Sequence, residues 1–354
     1  MNDQIARLPV AVLGATGVVG QRLVQMLDAH PWFQLAEVAA SDRSAGRPYG
    51  EVVNWRVSSA APAAAAELTV KPADPGAVEA TLVFSALDAA AAEEIEPAFA
   101  RAGRAVISNA RNRRMDPDVP LIVPEANADH LALIEAQRRR WGGRGFVVCN
   151  PNCSVIGLAL ALAPLARAAR LEKIVVTTLQ AASGAGYPGV PSLDLIDNVV
   201  PWIHDEEPKI ETEPGKIFGK LAGNRVEVLD VAVAAQVHRV PVSDGHMLAV
   251  SLQTSPRIGP ERAAELMARF RGAPQELGLP SAPDPPIVVL GADDRPQPRL
   301  DRMTGAGMAA VVGRIRPCPV LGLRMEVLSH NTIRGAAGGT LLIGELVRSQ
   351  DLVP

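Results

Sequence analysis

The stretch "PVAVLGATGVVGQRLVQMLDAH", residues 9–30, constrains the fold more than any other part of the chain. The β-rich apolar run at 9–13 reads as a strand, "GATGVVG" as a glycine turn and "QRLVQMLDAH" as a helix. A second apolar run, "QLAEVAAS", ends at Ser41, so the chain opens strand, turn, helix, strand. That is a βαβ unit at the start of an α/β domain. The alternation continues through "TLVFSAL" (81–87), an Ala-rich helix near 88–102, "RAVISNA" (104–110) and "PLIVPEAN" (120–127). "SSAAPAAAAEL" (58–68) is compositionally biased and reads as a surface linker with a weak helical tendency.

At Cys153 the texture changes. "SVIGLALALAPLARAARL" has the spacing of an amphipathic helix, and "KIVVTTLQAASGAGYPGV" (173–190) is a long strand entering a Gly-rich loop. "VEVLDVAVAAQVHRVPV" (226–242), the turn "SDG" and "HMLAVSLQT" (246–254) read as antiparallel strands joined tightly through Asp-Gly. A helix at 260–272, the Pro-rich connector "LPSAPDPP", the strands "IVVLGA" and "GMAAVVGRIR" and a helical tail at 335–349 complete the pattern. A chain of 354 residues is long for one core. The expectation is α/β: a Rossmann-like parallel-sheet domain over 1–152, completed by a C-terminal helix at 335–354. An α+β domain with a mainly antiparallel sheet follows over 153–334.

Composition excludes several function classes. The net charge is −3 with no Lys/Arg stripe, which removes the electrostatic footprint of a nucleic-acid binder. Three cysteines cannot build a disulfide framework in a chain this long, and the odd count fits a reducing compartment. The longest apolar run, near 155–166, is too short to span a bilayer and contains Pro164. No secretory leader is read at the N-terminus, and a cytoplasmic location is expected.

In "GATGVVG", Gly14, Gly17 and Gly20 form G-x-x-G-x-x-G in the first βα turn, suited to a pyrophosphate at a helix N-terminus. An ordinary strand-to-helix turn would use the same glycines. The second strand leads into "SDRSAG", where Ser41, Arg43 and Ser44 surround Asp42. One cation and two hydroxyls suit a 2′-phosphate, so NADP is expected over NAD.

Cys149 and Cys153 are spaced C-x3-C, but no compact Cys/His set accompanies them, so no metal is expected. Cys149 and Cys318 read as buried fillers. Cys153 falls at the start of a helix that Asn152 or Ser154 can cap. The macrodipole and unpaired amides there favour a thiolate and a lowered thiol pKa, so Cys153 reads as a nucleophile. A thiolate beside a nicotinamide suits aldehyde and acyl chemistry: it adds to a carbonyl, and a thioester links the two oxidation states. His246 opens a strand after "SDG" and ranks first among the histidines as an acid/base; His30, His130 and His204 read as surface residues.

The stretches "GATGVVG", "SNARNRRMDPDVPLIVPEAN", "CNPNCS", "SGAGYPG", "DNVVPWIHDEEPKIETEPGKIFG", "HRVPVSDGH" and "SHNTIRGAAGG" resemble the aspartate-semialdehyde dehydrogenase family, in particular its archaeal/fungal-type branch. They run in family order from residue 14 to residue 339. The resemblance implies that Cys153 is the nucleophile and His246 the acid/base, with Asn152 and Gln180 positioning the acyl group. It implies that Arg239 binds the substrate carboxylate, Glu206 the amino group, and Lys209 and Arg114 the phosphate. Glu207 competes with Glu206, and Arg111 and Arg113 with Arg114. His238 departs from the uncharged residue often found before the arginine. The implied cofactor set is Gly14, Thr16, Gly17, Val18, Val19, Ser41, Arg43, Ser44, Ser183, Gly184 and Asn331, with NADP(H) as the cofactor.

The activity implied is NADPH-dependent reduction of L-4-aspartyl phosphate to L-aspartate 4-semialdehyde. It serves lysine (through diaminopimelate), threonine and methionine biosynthesis, in a homodimer or homotetramer. Three alternatives stay open: a malonyl-CoA reductase-like enzyme, an N-acetylglutamyl-phosphate reductase and a catalytically silent NADP sensor. "SGAGYPG" and "EEPK" argue against the second.

Overall fold

The computed structural model describes residues 6–354. Six strands make the first sheet: β1 (Leu8–Leu13), β2 (Phe33–Ala40), β3 (Val70–Pro72), β4 (Leu82–Ser85), β5 (Ala105–Ser108) and β6 (Phe146–Cys149). All pair in parallel in the order β3-β2-β1-β4-β5-β6. This is the doubly wound order, with its topological switch between β1 and β4. The strands bury both faces and are accordingly near-continuous apolar runs, as in "LVFS" and "FVVC".

Two segments fold differently from their sequence patterns. "PLIVPEAN" is no strand: Leu121 makes one isolated bridge to Cys149, and Pro124–Asn127 is a helical turn. Proline at 124 ends the extended stretch and starts the turn, since its fixed φ suits a first helical position. The Ala-rich 58–68 segment contains a helical turn, Ala63–Ala66, that buries Ala65 in the core.

The second sheet holds β7 (Arg170–Gln180), β10 (Ala232–Arg239), β11 (His246–Ser255), β12 (Ile287–Leu290), β13 (Ala310–Cys318) and β14 (Gly322–Ser329). A separate two-stranded ribbon, β8 (Lys220–Ala222) with β9 (Arg225–Glu227), lies apart from it. The order is β10-β7-β11-β14-β13-β12, antiparallel through the centre and parallel at both edges, so the sheet is mixed. The predicted "SDG" hairpin does not form. β7 lies between β10 and β11, pairing in parallel with one and antiparallel with the other. Residues 240–245 cross over the end of β7 instead of closing a two-residue turn. An Asp-Gly signal is local and cannot report a third strand inserted between its neighbours.

The helix Cys153–Ala168 joins the two sheets. It is not amphipathic: every residue from Ser154 to Leu165 is buried. It is wrapped by β7, β11, β13, β14 and the helices Glu206–Ile217 and Pro260–Ala268. A helix apolar on all sides belongs in such a core. The C-terminal helix Gly338–Ser349 returns to the first sheet and touches β4, β5 and the helix Val18–Leu27. His30 and His130 are buried rather than superficial: His30 Nε2 meets Glu345 at 2.7 Å, and His130 lies between Asn127 and the Gly219 carbonyl. Glu345 and Gly219, 315 and 89 residues away, satisfy the buried rings, and no sequence window around either histidine contains them.

Candidate active site

The glycine turn is set by contact. Gly14 has φ 71°, and a Cβ on it would lie 2.6 Å from the Ala86 carbonyl oxygen at the end of β4. Gly17 is the N-cap of the Val18–Leu27 helix and offers no side-chain cap, so first-turn amides remain available. Gln21 Nε2 donates to the Thr16 carbonyl at 2.8 Å and the Tyr49 hydroxyl to Ala15 at 2.8 Å, which fixes the turn from behind. Beside it is a cavity of about 690 Å³ walled by Gly14, Thr16, Gly17, Val18, Ser41 and Arg43, with Tyr187 reaching in from the second half. Free amides, a hydroxyl and an exposed guanidinium suit a phosphate-rich dinucleotide. Ser44 is off this wall, its amide closing a turn onto the Ser41 carbonyl, and Val19 faces the neighbouring cavity.

That second cavity, about 660 Å³, has Cys153 on its wall together with Asn152, Gln180, Gly184, Arg239, Glu206, Lys209, Arg114 and Arg111. The Asn152 side chain caps the helix, accepting from Ser154 N at 2.9 Å and Val155 N at 3.2 Å, which leaves Cys153 in its first turn. Gly335 approaches so closely that a Cβ there would sit 2.8 Å from Cys153 Cβ.

The lowered thiol pKa expected at Cys153 is overturned. Burial pushes the thiol up to about 12 and Glu206 adds to the rise, against the opposing pull of Arg114, Arg239 and Lys209. Desolvation outweighs the helix terminus because a macrodipole supplies only about half a charge. The resting sulfur is a thiol.

Glu206 anchors the cavity floor. Its carboxylate accepts from Asn152 Nδ2 at 2.7 Å, Gln180 Nε2 at 3.2 Å and Lys209 Nζ at 3.1 Å. Glu207 points away and accepts from the Val237 amide. Arg239 and Gln180 are register partners on β10 and β7, so both side chains leave the sheet on one face and His238 leaves on the other. Arg239 Nη1 donates to the Ala181 carbonyl at 2.7 Å. Of the three arginines in "RNRR", Arg111 and Arg114 reach the wall, Arg111 paired with Asp205. Arg113 is held off it by Glu93 and Asp116.

His246 is fully buried and does not itself line the cavity. Gly184 does, and an added Cβ there would lie 3.1 Å from His246 Nε2 and 2.7 Å from Arg239 Nη1. The Ala181 amide donates to Nδ1 at 3.0 Å, so the neutral ring carries its proton on Nε2, which has no partner of its own. Burial, helped by Arg239 and His330, brings the imidazolium pKa down to about 3. The ring is therefore a neutral donor aimed at Gly184. Nearby, Asn331 Nδ2 donates to Ser183 Oγ at 2.8 Å and its Oδ1 accepts from the Gly245 amide.

Glu213 and Lys216 were missed in the sequence. Glu213 accepts from Arg114 Nη1 at 2.9 Å and from the Asn152 amide at 2.7 Å, tying Arg114 to the cap of the Cys153 helix. Burial works against the Arg114 charge, yet Glu213 leaves its pKa raised. Lys216 Nζ donates to the carbonyls of Arg114, Asp116 and Val119 at 2.6–2.7 Å and so shapes the arginine loop. The signal was spacing: Glu206, Lys209, Glu213 and Lys216 recur every three or four residues along one helix face. Pro208 and Pro214 disguise the helix that carries that period.

A doubly wound dinucleotide fold joined to a mixed-sheet half with a cysteine at its central helix N-terminus defines a cofactor-dependent oxidoreductase. Residues 9–134 match the family model described as "Semialdehyde dehydrogenase, NAD binding domain", and residues 162–334 match "Semialdehyde dehydrogenase, dimerisation domain". An aspartate-semialdehyde dehydrogenase from Archaeoglobus fulgidus is 48% identical over 98% of this chain and all of that protein. One from Schizosaccharomyces pombe is 44% identical over 97% of this chain and 99% of its own length. The crystal structure of aspartate semialdehyde dehydrogenase with NADP from Candida albicans superposes with a TM-score of 0.92 at 40% identity, covering 98% of this chain and 100% of that one. The chain belongs to the aspartate-semialdehyde dehydrogenase family.

Proposed function

We propose that the protein reduces L-4-aspartyl phosphate to L-aspartate 4-semialdehyde with NADPH, releasing phosphate, on the route to lysine through diaminopimelate and to threonine and methionine. One observation carries the substrate assignment: Cys153 shares a single cavity with the cations Arg114, Lys209 and Arg239 and the carboxylate Glu206. Aspartyl phosphate brings a carboxylate, a phosphate and an ammonium, the complementary set. Arg239 takes the carboxylate, Glu206 the ammonium, and Lys209 with Arg114 the phosphate.

Cys153 sulfur attacks the acyl carbon, the carbon–oxygen bond to phosphate breaks, and the thiol proton leaves on the departing phosphate as hydrogen phosphate, so that a thioester remains on Cys153. Gln180 and Asn152, both held by Glu206, orient the acyl group beside the sulfur. Bound NADPH supplies the hydride that reduces this thioester. The His246 Nε2–H donates a hydrogen bond to the oxygen as it becomes negative; that charge then re-forms the carbonyl as the carbon–sulfur bond breaks, the aldehyde leaves, and the sulfur departs as a thiolate that takes a proton from water. Gly14, Thr16, Gly17, Val18, Ser41 and Arg43 hold the cofactor from the first sheet. Val19 and Gly184 wall the cavity that holds Cys153, Ser183 and Asn331 bond to each other beside Gly184, and Ser44 shapes the turn under the 2′-phosphate site.

The cofactor domain is assigned to residues 1–152 with the helix at 335–354, and the catalytic and dimerisation domain to 153–334. A homodimer is proposed through the uncovered face of the second sheet, where Lys173, Val175, Ala234, Gln236 and Ala249 are exposed. Among the described residues no helix is long and apolar enough to cross a membrane, and the three cysteines are unpaired. A cytoplasmic location suits these free thiols.

The test is turnover of aspartate semialdehyde, phosphate and NADP to NADPH, with Cys153→Ser as the partner experiment. The variant is expected to keep NADPH binding and lose at least a thousandfold in kcat. Turnover with malonyl-CoA and none with semialdehyde plus phosphate reverses the substrate assignment. Full activity in Cys153→Ser removes the thioester route.

A further inference from the structure

Residues 183–190 run between the two cavities and face both. Gly184, Ala185 and Val190 wall the catalytic cavity, whereas Tyr187 crosses to the dinucleotide cavity beside Gly17, Ser41 and Arg43. Tyr187 is 60% exposed. It is nonetheless held. Arg56 Nη2 donates to the Tyr187 hydroxyl at 2.8 Å, and the Arg56 guanidinium carbon lies 4.2 Å from the ring centroid.

The anchor reaches back into the glycine turn. The Arg56 amide donates to Gln21 Oε1 at 2.6 Å, and Gln21 Nε2 donates to the Thr16 carbonyl at 2.8 Å. At the loop's other end the Ser183 amide bonds the Ser243 carbonyl, and Asn331 holds the Ser183 hydroxyl. Arg56 and Tyr187 are 131 residues apart in sequence and belong to the two different halves, so their contact ties the two halves together beside the cavity that Tyr187 lines.

We propose that Tyr187 is a cofactor-binding residue contributed across the cleft, a ring that covers the bound dinucleotide while Arg56 pins it in place. The chemistry fits the ligand class. A phosphate-rich dinucleotide offers flat apolar rings to the aromatic face and negative charge to the neighbouring guanidinium. Because the same loop ends against Gly184, filling the dinucleotide cavity also fixes the segment that lies over His246 and Arg239. The inference rests on the NADP(H) reading of the first cavity.

The experiment is direct NADPH titration of the full chain by fluorescence, without acyl substrate, on wild type and on Tyr187→Ala, Tyr187→Phe, Arg56→Ala and Arg56→Lys. Tyr187→Ala is expected to raise Kd about tenfold, since stacking on an aromatic is worth that much or more. Tyr187→Phe, which keeps the ring and loses the hydrogen bond, is expected to raise it about threefold. Arg56→Ala should fall between them, with partial rescue by lysine. KM for the acyl phosphate, measured at saturating NADPH where the loop is fixed, and the melting temperature should stay unchanged. A Kd within twofold of wild type for Tyr187→Ala overturns the proposal, as does a loss confined to kcat. An Arg56→Ala variant indistinguishable from wild type overturns the pinning role. Failure of wild type itself to bind NADPH counts against the cofactor reading rather than against the clasp.

Discussion

Alkylation of Cys153 in the cofactor-free protein separates a buried thiol from a preformed thiolate. Burial and Glu206 carry its pKa from an ordinary 9.0 to about 12. At pH 8 the ionised fraction is then about 10⁻⁴, against about 10⁻¹ for the unshifted thiol, and only the ionised form reacts. Iodoacetamide should therefore modify Cys153 up to about a thousandfold more slowly than a free cysteine. The residue keeps some contact with cavity water, which screens part of the desolvation, so a tenfold deficit is about the least that the geometry allows. Cys318 must first be replaced by alanine: the Leu321 amide leads the influences that lower its pKa, and it would react ahead of Cys153. Cys149 is fully buried and contributes no signal. Peptide-resolved mass spectrometry between pH 7 and 9.5 is the assay. The logarithm of the rate should climb about one unit per pH unit, with no plateau. A plateau below pH 8, or a rate equal to free cysteine, would show that the helix terminus and the three cations outweigh burial.

Glu213→Gln leaves the buried Arg114 guanidinium without its counter-charge, and a loss of about 3–5 kcal/mol is expected from denaturant midpoints. A change below about 1 kcal/mol means Arg114 finds another partner. His246 has its folded pKa below the unfolded value, so its contribution to stability is complete above about pH 6.5 and fades as the pH falls towards 3. His330, brought to about 4, mainly by burial, acts in the same sense. Melting temperature should therefore fall between pH 6.5 and 4.5, and His246→Asn should flatten that fall by up to about 3 kcal/mol; an unchanged slope refutes the assignment. Arg43→Ala should lower kcat/KM for NADPH about 10- to 100-fold and leave NADH nearly untouched. Equal losses with both cofactors would remove Arg43 from the 2′-phosphate site.

Much of the architecture was legible because its signals are local. Residues 9–41 announce a strand, a glycine turn and a second strand within one window, and the structure turns them into the β1–β2 pair of a doubly wound sheet. The capped start of the Cys153 helix was readable for the same reason: Asn152 bonds amides two and three residues away. Glu213 was not, since its partners Arg114 and the Asn152 amide lie 99 and 61 residues off in sequence.

By itself the sequence determined which segments extend, which coil, where the backbone must turn, and that a cysteine would stand at a helix N-terminus. Tertiary structure alone decided that β7 would separate β10 from β11, that His30 and His130 would be buried, and that the Cys153 sulfur would rest protonated. The division follows range. Propensity and capping act over a few residues, whereas strand order, burial and the field at a titratable group are sums over neighbours that the folded chain brings from hundreds of residues away.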